Sequence, residues 1–259
     1  KIRSLDDQSH DVAIYFDTSP LWAVDNPEQE VEWDMYEYEN TSILKTGTVQ
    51  QPVLEKSGDN VLIDWGYHYL VTENKEKSRM AVLPVEDLHQ AFIESGNIPE
   101  QVDNYMPRPA GEDPVALAVV HTIDGLTSDP VIDFIALAYD DLYSIEYFGK
   151  KLRAWWKRDG KTAEEMIVEG INNYEEIMKN ADTFDKGIYQ DALDAGGKEY
   201  AELCVLAYRQ AVSAHKLVSD NGFPLLLSKE NFSNGSIGTV DVTYPSAPLF
   251  LYYNTDLVK

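Results

Sequence analysis

The sequence predicts an α+β chain: an antiparallel β-sandwich followed by a helical hairpin. Three observations carry that expectation. Up to about residue 145, short runs alternate apolar and polar residues with a period of two, and clusters of turn-forming residues separate them. From Thr162 the apolar period lengthens to that of a helix. The 259 residues are 44% hydrophobic and 11% aromatic, which is enough to fill one large core or two ordinary ones.

The strands come first. His10 to Asp17 alternates apolar and polar residues. Glu30 to Tyr38 does so more strictly, with Val31, Trp33, Met35 and Glu37 on one face. Further strands are predicted at Ser42 to Val49, Asn60 to Asp64, Tyr67 to Thr72, Arg79 to Pro84, Val115 to Thr122 and Val131 to Tyr139. The turn clusters between them include Lys56-Ser57-Gly58-Asp59, Thr72-Glu73-Asn74, Pro107 to Gly111 and Asp124-Gly125. Many short strands joined by turn-rich links argue for a sandwich. Leu88 to Gly96 fits either a short helix or a strand.

The helices follow. Thr162-Ala163-Glu164-Glu165 has the form of a capping box, in which Thr162 accepts from the Glu165 amide and the Glu165 carboxylate reaches back. Apolar residues from Met166 to Met178 continue at helical spacing, and Asn180 closes that helix. Phe184 to Leu193 reads as a short helical connector. A second long helix is predicted from Lys198 to Ser219, ended by Asp220-Asn221-Gly222, and residues 223 to 259 read as mostly loop. The division between the two parts is placed at residues 1–145 and 146–259. One helical hairpin is too little for an independent domain, so it must pack on the strands, on a partner or on further sequence.

Charge narrows the function. Forty-five acids against 21 bases leave a net charge of −24. Nucleic acid needs clustered Lys and Arg to neutralise phosphate, and anionic membranes need the same, so both are poor partners. No apolar run approaches the ~20 residues of a membrane span. Cys204 is alone, which excludes an internal disulfide and a thiolate metal site, and a packed structural thiol is expected there. None of the five histidines pairs with another at metal-ligand spacing, and no metal site or cofactor is expected, although acid clusters without EF-hand spacing leave a structural Ca2+ open. His215 is expected to be a packed, hydrogen-bonded residue on a helix. GxSxG, SxxK and phosphate-loop signatures are absent.

Three places carry chemistry. Asp140-Asp141 ends the last predicted strand, where an acid pair caps a following helix, binds a cation or takes part in catalysis. Arg153, Trp155, Trp156 and Arg158 form a basic-aromatic cluster, suited to interdomain packing or to stacking on a polar substrate. Ser228 to Tyr244 is the densest, gathering Lys229, Glu230, Asn231, Asn234, Asp241 and Tyr244 in what reads as one irregular segment. Its alternative is a plain surface loop.

Two long runs resemble a known family. Leu137 to Gly149 (LAYDDLYSIEYFG) is similar to the domain junction of the glutaminase A family, and Ser228 to Pro248 (SKENFSNGSIGTVDVTYPSAP) to its catalytic-domain signature. His10 to Asp17 and Ile63 to Tyr67 resemble its N-terminal β domain. The resemblance implies a β-sandwich leading into the first hairpins of an (α/α)6 toroid, with strands missing before this chain and hairpins missing after it. It implies hydrolysis of L-glutamine to L-glutamate and ammonia by a secreted or periplasmic enzyme of the kind found in fungi and Bacteroides. On that reading the chain alone is inactive and its oligomeric state is open.

Amide cleavage needs an activated water or nucleophile, an acid for the leaving group and oxyanion stabilisation. The expected catalytic residues are Asp241 as base or water-positioning group, Glu230 as alternative acid or base, and Lys229 for the oxyanion or the substrate carboxylate. Asn231, Asn234, Tyr244 and Trp156 are expected to bind substrate. Two alternatives stand beside this. One is a glycoside hydrolase using two carboxylates from Asp140, Asp141, Glu230 and Asp241, and the other is a non-catalytic binding module.

Overall fold

The computed structural model describes residues 1–6, 8–73, 76–229 and 234–258 of the chain. They divide into two compact units. The first comprises residues 1–53 and 62–141, and the second residues 54–61 and 142–258.

The first unit is the predicted sandwich. Its larger sheet has the order β6-β2-β3-β4-β8, with β2 at Glu30–Tyr38, β3 at Thr41–Thr48, β4 at Tyr67–Glu73, β6 at Arg108–Pro109 and β8 at Ala136–Asp140. The smaller sheet is β1-β7-β5, with β1 at His10–Thr18, β5 at Ser78–Pro84 and β7 at Val115–Leu126. Every pairing in both sheets is antiparallel. The two-residue period decides what lies between them. Val31, Trp33, Leu44 and Leu70 of the larger sheet meet Met80, Val82, Leu117 and Val119 of the smaller one in a single core. Each such side chain, fully buried, contributes about 1.5–3 kcal/mol.

Strand β7 shows why its sequence is an unbroken apolar run instead of an alternating one. Val115, Leu117 and Val119 face the other sheet. Ala116, Ala118 and Val120 face the opposite way, into a second core with Leu88 and partly buried Phe92. Both of those residues lie on α1 (Val85–Ser95), which settles the ambiguous stretch as a helix. Acidic Glu86 and Asp87 sit in its first turn, where the helix dipole favours them, and Gly96 closes it in the left-handed conformation at φ 68°. The predicted strand at Asn60–Asp64 does not form. Asp64 is instead buried as a tie point, its carboxylate accepting from Gln29 Nε2 (3.1 Å) and its carbonyl from Thr48 Oγ1 (2.8 Å).

The second unit combines a meander with helices. Strands β9 (Ile145–Tyr147) and β10 (Lys150–Ala154) form a hairpin about Phe148-Gly149, whose φ values are 48° and 76°. The helices follow: α2 at Ala163–Asn172, α3 at Tyr174–Gly196 and α4 at Lys198–Ser213. The chain then returns as β11 (His215–Asp220) and β12 (Phe223–Ser228), completing the order β12-β11-β10-β9. Helix α5 (Val240–Tyr253) ends the regular structure.

Several helical expectations are corrected here. The capping box forms as predicted, with Glu165 N donating to Thr162 Oγ1 (3.2 Å) and Thr162 N to Glu165 Oε2 (2.8 Å). Its helix ends at Asn172, not Asn180. Asn180 lies inside α3, which continues through the supposed connector because Ile188 and Ala192 bury and Lys186–Asp182 and Gln190–Asp194 pair one turn apart. The predicted long helix to Ser219 stops at Ser213, and His215–Asp220 is a strand. The apolar stripe of α4 buries only Ala201; Leu203 and Leu206 are 62% and 51% exposed, and Cys204 is half-buried. Asp140-Asp141 caps no helix, since the chain runs on into β9.

Candidate active site

The signature run is shaped by the hairpin before it. β11 and β12 pair in full register from His215↔Ser228 to Asp220↔Phe223, around the two-residue turn Asn221-Gly222. Both turn residues have positive φ, 51° and 84°, the conformation in which Asn and Gly are cheapest. Leu225 and Leu227 pack against a small core of Ile145, Leu152 and Val218, and Ile237 joins them. That burial pins the far end of the run back onto the sheet.

Hydrogen bonds then close a clasp. Lys229 N donates to Ala214 O (2.7 Å), Gly238 N donates to Ser228 O (2.9 Å), and Lys229 forms a β-bridge with Ile237. Ser228 Oγ lies 2.8 Å from Thr243 Oγ1, joining the end of β12 to the first turns of α5. Buried Ser228 is thus the hub on which strand, turn and helix meet.

Asp241 lies in the first turn of α5, where a carboxylate complements the helix dipole, and it is exposed. Tyr244 follows three residues later on the same helical face and is 79% exposed. Neither belongs to an irregular loop, as the sequence suggested; the glycine-rich part stops at Gly238 and the helix begins at Val240. Lys229 is exposed at the start of the clasp. Asn234 is half-buried, accepts from Ser236 N at 2.8 Å, and bridges Asp59. Glu230 and Asn231 lie outside the described residues. Trp156 sits half-buried in the short 3-10 turn Trp155–Lys157 that packs beside β11, with the Lys157 ammonium 5.1 Å from its ring centre. The structure therefore sets Lys229 at the start of the clasp and Asp241 and Tyr244 on the helix that the clasp holds, with Asp241 roughly 200° of helical turn away from the Thr243 that meets Ser228. Asn234 is on the clasp's outer turn, and Trp156 is held by a different element.

Sequence reasoning missed a contact beneath α5. His215 Nδ1 lies 2.6 Å from Ala211 O. A carbonyl only accepts, so Nδ1 carries a proton. Nε2 faces Ser246 Oγ at 3.4 Å, and the ring packs edge-on against Phe250 at 4.9 Å. His215 is the packed histidine expected, on a strand instead of a helix. Ser246 Oγ also lies 2.9 Å from Val242 O, an ordinary helical back-bond. No local signal links positions 31 apart in sequence.

Asp140 and Asp141, offered as alternative acids, are both buried in the first unit. Burial of Tyr139 raises its hydroxyl above the usual range, helped by the nearby charges of Asp141, Asp64 and Asp140, and that hydroxyl donates to Trp65 O at 2.6 Å. Among the described residues no group of three His, Cys, Asp or Glu is arranged to hold a metal ion. A groove of the sandwich, about 720 Å³, is lined by Phe16, Thr18, Trp22, His68, Leu137 and Tyr139 and includes none of the expected site residues.

A sandwich followed by helices, with a polar clasp at the head of a helix, defines a two-part α+β protein. Comparison with known proteins agrees. Residues 1–191 match a family described as a domain of unknown function (DUF5127), and residues 197–259 match the glutaminase A six helical-hairpin domain. The chain belongs to the glutaminase A family. It is 27% identical over 263 residues to Glutaminase A of Aspergillus oryzae, a match covering 100% of this chain and 38% of that protein. It is 24% identical over 205 residues to a protein of Arthroderma benhamiae named as a probable glutaminase, covering 79% and 22% respectively. The chain thus spans well under half the length of these relatives. The border between the two matched regions falls at the glycine break between α3 and α4, not at the border between the compact units.

Proposed function

We propose that this chain is part of an enzyme that hydrolyses the side-chain amide of L-glutamine, giving L-glutamate and ammonia, and that the enzyme works outside the cytoplasm, secreted or at the cell surface. The observation that carries the reading is the clasp. Ser228, Lys229, Ile237 and Thr243 hold one another, which fixes the segment that carries a cation (Lys229) to the helix that carries a carboxylate in its first turn (Asp241). The names of the matched relatives support the same chemistry.

In this reading Asp241 orients a water and takes its proton as the oxygen attacks the amide carbon. Lys229 offsets the charge developing on the amide oxygen. Collapse of the tetrahedral intermediate expels ammonia, which takes up the proton. Tyr244, exposed one turn along from Asp241, orients the substrate, with Asn231, Asn234 and Trp156 as further binding groups and Glu230 as the alternative acid or base.

The test is ammonia release from L-glutamine by the whole protein, with the 259-residue chain assayed beside it. Asp241→Asn is expected to lower turnover by about 100-fold or more, the usual effect of losing a positioned base, and the isolated chain is expected to release none. An unchanged rate in Asp241→Asn removes that residue. No release from the folded whole protein overturns the glutaminase reading, and cleavage of an oligosaccharide in its place would establish glycoside hydrolysis.

A further inference from the structure

The outer face of the larger sheet carries a pocket of its own. Val31 and Trp33 turn into the core, so the strand period puts Glu32 and Asp34 on the opposite face of β2, where both are exposed. Pairing then sets what faces them. Gly47 of β3 is opposite Glu32, and Lys45 is opposite Asp34. On the next strand, Tyr67 of β4 is opposite Gly47. Gly47 is needed there for space. An added Cβ would lie 2.6 Å from Tyr67 Cδ1 and 2.7 Å from Gly66 O, so the ring lies across β3 only because no side chain stands beneath it.

Lys45 is the unusual member. In a chain with 45 acids and 21 bases, carboxylates for a lysine to meet are in excess. Asp34 is directly across the strand pair, where Cβ atoms are about 5 Å apart. Yet Lys45 forms no ion pair among the described residues, and its ammonium lies 3.9 Å from the centre of the Tyr67 ring. That contact takes up charge but leaves N–H donors to spare. Asp34 Oδ1 accepts from Met35 N at 2.9 Å, and neither Asp34 nor Glu32 forms an ion pair among the described residues. Opposite charges thus line one pocket of about 420 Å³, together with Gly47, Tyr67 and Met106, without neutralising one another.

We propose that Glu32, Asp34, Lys45 and Tyr67 form a binding site for a small zwitterion, a free α-amino acid. The ligand's ammonium donates to the Glu32 and Asp34 carboxylates, which stand two residues apart on β2, roughly 7 Å along the strand. Its carboxylate accepts from Lys45, so each charge in the pocket meets its opposite. A ligand with one charge answers only half of the pocket. A sugar fits it poorly, because stacking uses a bare aromatic face and the Lys45 ammonium already lies over the Tyr67 ring. These residues belong to the first compact unit, whereas Lys229, Asp241 and Tyr244 belong to the second. The site therefore stands whether or not glutamine is the substrate.

The experiment is equilibrium dialysis of the whole protein against radiolabelled L-alanine at constant ionic strength. Alanine carries both charges but no side-chain amide, and its uptake is expected to saturate. Lys45→Met keeps the length of the side chain and removes its charge; this change and Asp34→Asn are each expected to weaken uptake about tenfold or more, the loss of a charge-assisted contact. Acetate and ethylamine, with one of the two charges each, are expected to displace the label about tenfold less well than unlabelled alanine. Hydrogen exchange at Leu117 and Val119 should match the wild type in both variants, since the substituted side chains face away from the core, and this separates lost binding from lost folding. Uptake that does not saturate, equal uptake in Lys45→Met, or displacement by acetate or glucose as effective as by alanine would overturn the proposal.

Discussion

Replacing Arg108 by Ala should be among the most damaging single changes in the β unit. Its side chain is 3% exposed, and its guanidinium makes four hydrogen bonds. Nη1 donates to Asp103 Oδ2 and to Tyr105 O, both at 2.8 Å; Nη2 donates to Asp113 O at 2.6 Å and Nε to Glu112 O at 3.1 Å. The planar group also lies over Trp33 and Tyr105, at 5.2 and 5.1 Å. One side chain thus gathers residues 103–113, and Trp33 Nε1 adds a bond to Asp103 O. Truncation strands a carboxylate and three carbonyls and opens a hole beside Trp33. Removing one partner of a buried ion pair costs about 3–5 kcal/mol, and that is the expected loss. Arg108→Lys keeps the charge without the fork and should cost roughly half as much. The double change Arg108→Ala with Asp103→Asn should recover about 1–2 kcal/mol relative to the single mutant, because no lone carboxylate is left. The chain has two compact units, so one global melting curve would mix them. Hydrogen exchange at Leu117 and Val119 reads the sandwich core directly. A loss below ~1 kcal/mol in Arg108→Ala, measured there, would show that these contacts do not hold the segment.

Two further outcomes follow from the same core. Burial holds the His68 imidazole below its usual range, against a smaller opposite effect from Ala138. A histidine kept neutral by folding gives its full stability above the unfolded value near 6.5, and that stability is lost as pH falls from there through the folded value. His68→Gln should therefore flatten the acid limb of the urea-unfolding profile below about pH 6.5; equal profiles for wild type and His68→Gln would refute this. Gly66→Ala should destabilise by about 2–4 kcal/mol. Its φ is +89° and an added Cβ would lie 2.2 Å from Asp140 O, a backbone atom with little room to give; a near-neutral urea midpoint would contradict that.

The parts of the fold legible in the sequence were those whose periodicity had one reading. Val31, Trp33 and Met35 alternate cleanly because one face of β2 is buried, and the Thr162 capping box is a local chemical event that needs no tertiary partner. The failures came where two signals competed. Asn221-Gly222 reads equally as the end of a helix and, between apolar runs, as the strongest hairpin signal, and pairing with Phe223–Ser228 decides for the strand. Asn180 has a poor intrinsic helix propensity, overridden by burial further along α3. At the site, Lys229, Asp241 and Tyr244 were visible as a dense polar run, but the Ser228–Thr243 clasp and the His215–Ser246 contact join residues 15 and 31 apart and leave no trace in local pattern. The basic cluster is visible as composition, whereas the Arg153–Tyr143 contact requires the return of β10 after β9.

The order β12-β11-β10-β9 has a kinetic consequence. Strand β10 ends at Ala154 and its neighbour β11 begins at His215, so residues 155–214 must be spanned before the two can pair. Closing a flexible loop of that length costs roughly 3–4 kcal/mol in chain entropy. Helices form far faster than such a loop closes, and α3 and α4, once packed antiparallel across the Gly196-Gly197 break, shorten the distance the chain must search. The helical hairpin is then less an appendage of the sheet than the device that makes its middle pairing reachable.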